Sequence, residues 1–236
     1  MRALILAGGK GSRLRPFTFT IPKPLVPIGE LPIIEILIRQ LAAGGFERIT
    51  ISVGHLSGLI EAFCGDGSRF GASIDYLRED APLGTVGCLS LMGGMTEDRL
   101  LLVNGDTLTD CDMASLHRDH DPGDAITIAA NRRIVDVDFG VLDSDEAGLL
   151  VDYREKPTLS YQVSMGINVV SAWAIRRFVP PATRMDLPAL VAAVMAAGER
   201  VRVAAPEAFW LDLGRMEDLE EGGRVFEADP SRFLPE

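Results

Sequence analysis

Pro22-Lys23-Pro24 and Glu155-Lys156-Pro157 place two of the chain's three lysines beside prolines. The remaining 20 of its 23 basic residues are arginines. Lysine is a compact point charge that arginine does not replace in a tight site, and proline fixes φ and restricts the residue before it. Lysines set this way are aimed cations, and the ligand that calls for them is an anion. A further cationic cluster, Lys10, Arg13 and Arg15, lies in the stretch Leu6–Pro24, LAGGKGSRLRPFTFTIPKP, directly after a short apolar run. Glycines there let backbone N–H groups approach phosphate oxygens closely. Lys10 has no proline context, and its place is the one that chance explains best.

The turn is neither of two familiar phosphate loops. In a G-x-x-x-x-G-K-[ST] frame, Leu4 takes the first glycine place and Gly11 follows Lys10; in a G-x-G-x-x-G frame, Leu14 takes the third. Its density of cations suits a triphosphate or a departing pyrophosphate. Two carboxylates end apolar runs, Asp106 in Asn104-Gly105-Asp106 and Asp212 in Trp210-Leu211-Asp212. Carboxylates at strand ends suit Mg²⁺, with waters and phosphate oxygens completing an octahedron. Asp110 is expected to cap a helix beginning near Met113.

These residues need strands and helices to carry them. Ala3–Leu6, Ile49–Val53, Ile74–Leu77 and Leu100–Val103 read as short buried strands. Ile33–Ala43, Leu56–Phe63 and Gly84–Met92 read as helices, the first stopped by Gly44-Gly45. Strands alternating with helices predict an α/β fold with a doubly wound, mostly parallel, Rossmann-like sheet, whose ligands sit at strand carboxyl ends. After Asp121 the pattern becomes mixed. Ala125–Ala130, Gly140–Leu142, Leu149–Tyr153, Gly166–Val170, Val201–Ala204 and Phe209–Leu211 are strand candidates. Ala172–Phe178, Leu187–Ala197 and Met216–Phe226 are helical. The expectation is one domain, with a nucleotide-binding half over 1–121 and a mixed α+β lid region over 122–236.

Composition narrows the function classes. A net charge of −11 leaves no basic excess to neutralise a nucleic-acid backbone. The apolar runs are too short for a membrane span, and the start MRALILAGG is not a secretory signal. A cytoplasmic protein is expected. Cys64, Cys88 and Cys111 are far apart and read as buried apolar residues. His117 and His120 read as surface histidines on a helix, His55 as a loop residue, and Trp173 and Trp210 as core.

The run LAGGKGSRLRPFTFTIPKPLVPIG (Leu6–Gly29) resembles the signature of the sugar-1-phosphate nucleotidyltransferases, also called nucleotide-sugar pyrophosphorylases. The likeness continues through Pro82–Gly87, Leu101–Asp110, Glu155–Pro157, Ser164–Ser171 and Trp210–Gly222, and so spans nearly the whole chain. Its character is that of the short single-domain members, such as the mannose- or heptose-1-phosphate guanylyltransferases and the uridylyltransferase for N-acetylmuramate 1-phosphate. The resemblance implies that an NTP and a sugar 1-phosphate give an NDP-sugar and pyrophosphate, with Mg²⁺ on Asp106 and Asp212. It implies that Arg13 and Lys23 bind the leaving pyrophosphate and that Lys156 binds the incoming sugar phosphate.

For the nucleotide it implies Leu6, Ala7, Gly8, Gly9 and Gly11 on one side, with Gly84 and Thr85 on the other. Glu79, near the base, only accepts hydrogen bonds. That suits the N1–H and N2–H₂ of guanine and favours GTP over UTP or TTP. Asn104, Gly140, Glu155 and Asn168 are the implied sugar residues. Relatives often read N-A-G-I-Y where Ser164-Met165-Gly166-Ile167-Asn168 stands, so the sugar is left open. The sequence has no hexapeptide repeats, so the β-helix through which long members assemble is not expected, which leaves a homodimer open. A non-catalytic sensor on this fold would tend to lose Arg13, Lys23, Asp106, Lys156 or Asp212, and all five are present. A glycosyltransferase would carry a D-x-D pair at a strand end; Asp110-Cys111-Asp112 mimics one but lacks a preceding strand.

Overall fold

The computed structural model describes residues 1–79, 81–93 and 95–234. In chain order the elements are β1 (Arg2–Leu6), β2 (Pro27–Ile28), β3 (Leu31–Pro32), α1 (Ile33–Ala43), β4 (Arg48–Val53), α2 (Ser57–Cys64), β5 (Ser73–Arg78) and α3 (Gly84–Gly87). They continue with β6 (Arg99–Asn104), β7 (Thr107–Thr109), α4 (Met113–Arg118), β8 (Asp124–Asp136), β9 (Val141–Ser144), β10 (Leu150–Arg154) and β11 (Thr158–Ser171). The chain closes with α5 (Ala172–Phe178), α6 (Leu187–Ala196), β12 (Arg200–Ala204), β13 (Trp210–Asp212) and α7 (Met216–Ala228).

Seven strands form one sheet in the order β12-β8-β11-β6-β1-β4-β5. β11 alone runs antiparallel to its neighbours β6 and β8; β1/β4, β1/β6, β4/β5 and β12/β8 are parallel. Alternation along the strands builds two cores. Ala3, Ile5, Leu101 and Val103 face one side with the apolar stripe of α1. Leu4, Leu100 and Leu102 face the other with Val86, Ile175 and Leu190. A sheet buried on both faces needs near-continuous apolar strands, which is how β1 and β6 read.

The second half joins this sheet through β8, β11 and β12 instead of standing wholly above one edge. What projects is narrower. β8 and β11 run on as a two-stranded arm in which Thr158 pairs with Asp136 and Ser164 with Ala130, and β9–β10 pair as a separate hairpin near its tip. The arm strands are longer than the runs Ala125–Ala130 and Gly166–Val170. Their outer parts are solvated on both faces, with Ile134, Val135 and Tyr161 exposed, so no burial pattern marks them in sequence.

Some assignments change. Asp112, not Asp110, caps α4, accepting from the Ser115 N–H at 2.8 Å. Asp110 instead accepts from the Phe209 N–H and pairs with Arg232. Trp173 and Trp210 are half-buried, with the Trp210 indole donating to the Met165 carbonyl. All three cysteines are buried and unbridged, and burial pushes their thiols up, Cys64 to about 12. Among the described residues no helix is long and apolar enough to cross a membrane.

His117 and His120 are not surface residues. His117 is 8% exposed and lies edge-on to Phe46; His120 is 2% exposed. The Ser171 hydroxyl donates to the Asp124 carbonyl, so His120 Nε2–H donates to Ser171 Oγ, and Nδ1 accepts from the Thr127 hydroxyl. Both pKa values fall, first from desolvation and then from the charge of Arg99, and His117 drops to about 4. The unfolded chain takes up these protons near pH 6.5, the folded chain only at lower pH. Stability should therefore fall as pH drops below 6.5, with the His117 loss complete near pH 4 and worth about 3 kcal/mol. Urea midpoints across that window test this. A His117→Phe variant should have a flatter profile, and an unchanged slope would remove the buried imidazole as the cause.

Candidate active site

β4 and β5 lie to one side of β1 and β6 to the other, so the winding reverses between β1 and β6. Open α/β sheets bind ligands outside strand carboxyl ends at such a point. Leu6 and Asn104 pair in register there, and a cavity of 740 Å³ opens beside them. Its walls include Leu6, Gly8, Gly9, Glu79, Gly84, Thr85, Asn104 and Asp106, eight residues singled out from sequence. Gly105 makes the turn possible. Its N–H donates to the Leu6 carbonyl at 2.9 Å, and a Cβ on it would stand 2.8 Å from that oxygen.

The loop after β1 folds into three short 3₁₀ turns anchored by buried Leu14. Gly11 has φ +57°, and an added Cβ would lie 2.9 Å from Thr18 Cγ2 and 3.1 Å from Lys23 Cβ. Glycine is thus required both by conformation and by the packing that brings Lys23 inward. The Thr18 hydroxyl closes the loop by donating to the Gly11 carbonyl. Lys23 is 8% exposed and its ammonium is paired with Asp106 and lies 3.9 Å from Asp212.

Asp212 reaches this point because β13 pairs antiparallel with β7, setting Asp212 opposite Thr107, and the Leu213 N–H donates to the Asp106 carbonyl. Desolvation raises the Asp212 pKa, and the Asp106 charge raises it further, against the opposing pull of Lys23 and Arg13. Two carboxylates that repel one another beside Lys23 and Arg13 offer hard oxygens that could hold a divalent ion. The Arg13 guanidinium packs on Gly214, 3.0 Å from where a Cβ would sit. Two carboxylates alone make an incomplete cage, and among the described residues no cluster of three or more acidic, His or Cys side chains forms a fuller one. Two ligands with open positions are what Mg²⁺ takes when phosphate oxygens and waters supply the rest.

Glu79 is fixed on the opposite wall. Its Oε1 accepts from the Ser52 hydroxyl and its Oε2 from the Leu83 N–H, each at 2.7 Å. Each oxygen keeps a further lone pair for a ligand. Ala7 is buried, and its N–H donates to the Ser52 carbonyl, so that donor is already taken.

Other assigned residues lie elsewhere. Asn168 lines a smaller adjoining cavity. Gly140 and Glu155 meet on the arm, where a Cβ on Gly140 would fall 2.6 Å from the Tyr153 hydroxyl, itself donating to Glu155 Oε2. Lys156 is exposed and makes no ion pair with a described residue. Its φ of +43° is rare for a side-chain-bearing residue before proline, a local strain of ~1 kcal/mol or more. None of these three lines the two cavities.

Lys10, left without a role in the sequence reading, lines the larger cavity with Ser52, Gly54 and Asp186, which that reading missed, and His55 lies on it too. Ser52 lies in the β4 run Ile49–Val53 and Gly54 follows it, so both could have been found by local reading. Asp186 could not, because a loop from the second half carries it in. That loop is latched to the α3 turn: Thr85 N–H donates to Asp186 Oδ1, Leu187 N–H to Thr85 Oγ1, and the Val86 and Gly87 N–H groups to the Met185 carbonyl.

A family model described as nucleotidyl transferase matches residues 2–228. A mannose-1-phosphate guanylyltransferase of Mycobacterium tuberculosis is 33% identical over 228 residues, 93% of this chain and 63% of its own length. A UTP–glucose-1-phosphate uridylyltransferase of Synechocystis is 32% identical over 239 residues, 92% of this chain and 61% of its own. The chain thus spans about three-fifths of each of these relatives. The crystal structure of HddC from Yersinia pseudotuberculosis superposes with a TM-score of 0.73 at 24% identity, covering 95% of this chain and 99% of the other.

Proposed function

Because this chain belongs to the nucleotidyl transferase family, we propose that it joins an NTP to a sugar 1-phosphate, releasing pyrophosphate. The observation that carries this reading is the convergence of Lys23, Asp106 and Asp212 beside a cavity at the β1/β6 switch point. A phosphate oxygen of the sugar 1-phosphate forms a bond to the α-phosphorus of the NTP. The bond from that phosphorus to the β-phosphate breaks, and pyrophosphate leaves with the electron pair. The attacking oxygen is already ionised near neutral pH, so no general base is needed. What the protein supplies is alignment and charge.

In this reading Arg13 and Lys23 bind the leaving pyrophosphate, and Lys156 with Glu155, Gly140 and Asn104 receives the sugar phosphate. The backbone of Leu6 to Gly11, with Gly84 and Thr85, holds the nucleotide. Asp106 and Asp212 would hold Mg²⁺, which when bound neutralises phosphate charge. The two lone pairs left on Glu79 match guanine N1–H and N2–H₂, so GTP is the favoured nucleotide and a mannose- or heptose-type phosphate the favoured partner. Three buried, unbridged thiols accord with a cytoplasmic protein.

A matrix of NTPs against sugar 1-phosphates, scored by pyrophosphate release, tests the proposal. GTP should lead by at least ~10-fold in kcat/KM, and Glu79→Gln, which can both donate and accept, should narrow the lead of GTP over UTP. No pyrophosphate with any pair would sink the reaction; an unchanged NTP ranking in the variant would sink only the base assignment.

A further inference from the structure

Nine of the sixteen large apolar side chains exposed among the described residues fall within residues 134–161, about an eighth of the chain. Phe139 is 78% exposed, and Leu142, Leu149, Leu150 and Val151 are each exposed by 60% or more. They sit on the arm and its hairpin, where Leu142 pairs opposite Tyr153 and Val135 opposite Leu159. At roughly 100 Å² of open surface each, the nine present about 900 Å². A monomer rarely exposes a contiguous apolar patch above a few hundred Å², and a standard interface takes ~800 Å² from each partner. The backbone of the arm is open as well. β12 pairs with β8 only as far as Ala129, and β6 with β11 only as far as Ile167. Beyond those points neither outer edge has a strand beside it among the described residues, and an open edge is a template for another chain.

Charge is divided along this arm. Arg132 and Arg133 stand at its root. Arg132 donates to the Ser160 hydroxyl, and neither guanidinium has an acidic partner among the described residues. Beyond them, residues 134–157 hold seven acids against two bases, Arg154 and Lys156. Asp143 and Asp152 pair with Arg154, whereas Asp138 and Glu146 are exposed with no basic partner among the described residues. We infer that a second copy of this chain docks here, arm against arm about a two-fold axis. Two arms laid antiparallel set the outer acids of each on the root arginines of the other. Both contacts form at once, because a two-fold interface is its own complement. The apolar area supplies affinity and the charges fix direction. A net charge of −11 makes two copies repel in general, so an arm with its own separated charges is where they can meet. Resting on the activity proposed above, docking also orders the part of the chain that carries Gly140, Glu155 and Lys156, which line neither cavity.

Sedimentation equilibrium over a range of protein concentrations tests this. The wild type should reach twice the 25.5 kDa of one chain. Phe139→Asp combined with Leu150→Asp should sediment as a single chain with an unchanged far-ultraviolet circular dichroism spectrum, because both side chains are exposed within one copy. Charge reversal needs no apolar change and covers a folding failure of that variant. Arg132→Glu with Arg133→Glu should weaken association by at least ~10-fold, and so should Asp138→Arg with Glu146→Arg. All four together should recover association to within ~3-fold of the wild type, since each arm then meets the opposite sign again. In the single-chain variant the KM for the sugar 1-phosphate should rise while the KM for the NTP holds. A wild type that stays a single chain at ~100 μM, well above the Kd that an interface of this size supports, would overturn the inference. So would a dimer that survives the aspartates and both reversals, which puts the contact elsewhere, or reversals that do not rescue one another. None of the mass measurements uses turnover. If no pyrophosphate is released from any pair, the parent reading falls and the dimer stands; if the masses fail, the dimer falls alone.

Discussion

Asp106→Asn is expected to keep the fold and lose about 10²–10³-fold in pyrophosphate release, on the order of 3–4 kcal/mol of transition-state stabilisation. The substitution preserves shape and the turn. Gly105 still donates to Leu6, and the Asp106 carbonyl still accepts from the Leu213 N–H. What changes is one negative charge beside the buried ammonium of Lys23 and the carboxylate of Asp212. The pair loses its capacity for a divalent ion, and Lys23 loses the partner that aims it. A small drop in melting temperature should accompany this, since Lys23 is nearly enclosed and keeps only the more distant Asp212. Lys23→Met in the same background separates the two effects. If the residues act as one unit, the double variant should be little slower than either single one. Turnover within ~3-fold of wild type in Asp106→Asn would remove this residue from the chemistry.

Gly84→Ala should destabilise the wall of the site severely. Gly84 has φ +76°, and a Cβ there would fall 2.6 Å from both Asp186 Oδ1 and the Met185 carbonyl oxygen. The conformation alone costs an alanine ~1–2 kcal/mol. The contact adds to this because one of the two atoms is backbone and cannot rotate away. The 185–187 loop must lift from the α3 turn, breaking the bonds from Thr85, Val86 and Gly87. Destabilisation of about 3 kcal/mol, read as a melting temperature lower by ~6–12 °C, is expected. KM should rise for both substrates, because Thr85 and Asp186 line both cavities. A variant with wild-type melting would show that the loop does not rest on the turn as described.

Much of this was legible in local sequence because local physics sets it. The apolar run Ala3–Leu6 ends at a glycine turn, and Ile33–Ala43 keeps a helical stripe until Gly44-Gly45; both stand as read. The prolines around Lys23 mark a stiff cation, and the structure has it enclosed. Local reading misjudged His117 and His120, since helical spacing does not say which face is covered. Phe46, Thr127 and Ser171, which enclose them, come from other elements. It also shortened β8 and β11, whose outer halves are wet on both sides and carry no alternation.

The sequence by itself determined the strand–turn modules, the doubly wound class and the identity of the charged groups that end strands. Each of these follows from backbone conformation and side-chain periodicity within a few residues. Only the tertiary structure decided that Asp212 stands beside Asp106, that Asp186 walls both cavities, and that Asn168 lines the smaller one. Those facts depend on which strand pairs with which and on which loop crosses which turn. Pairing is chosen by burial summed over the whole sheet, and no stretch of chain near Asp106 contains that information.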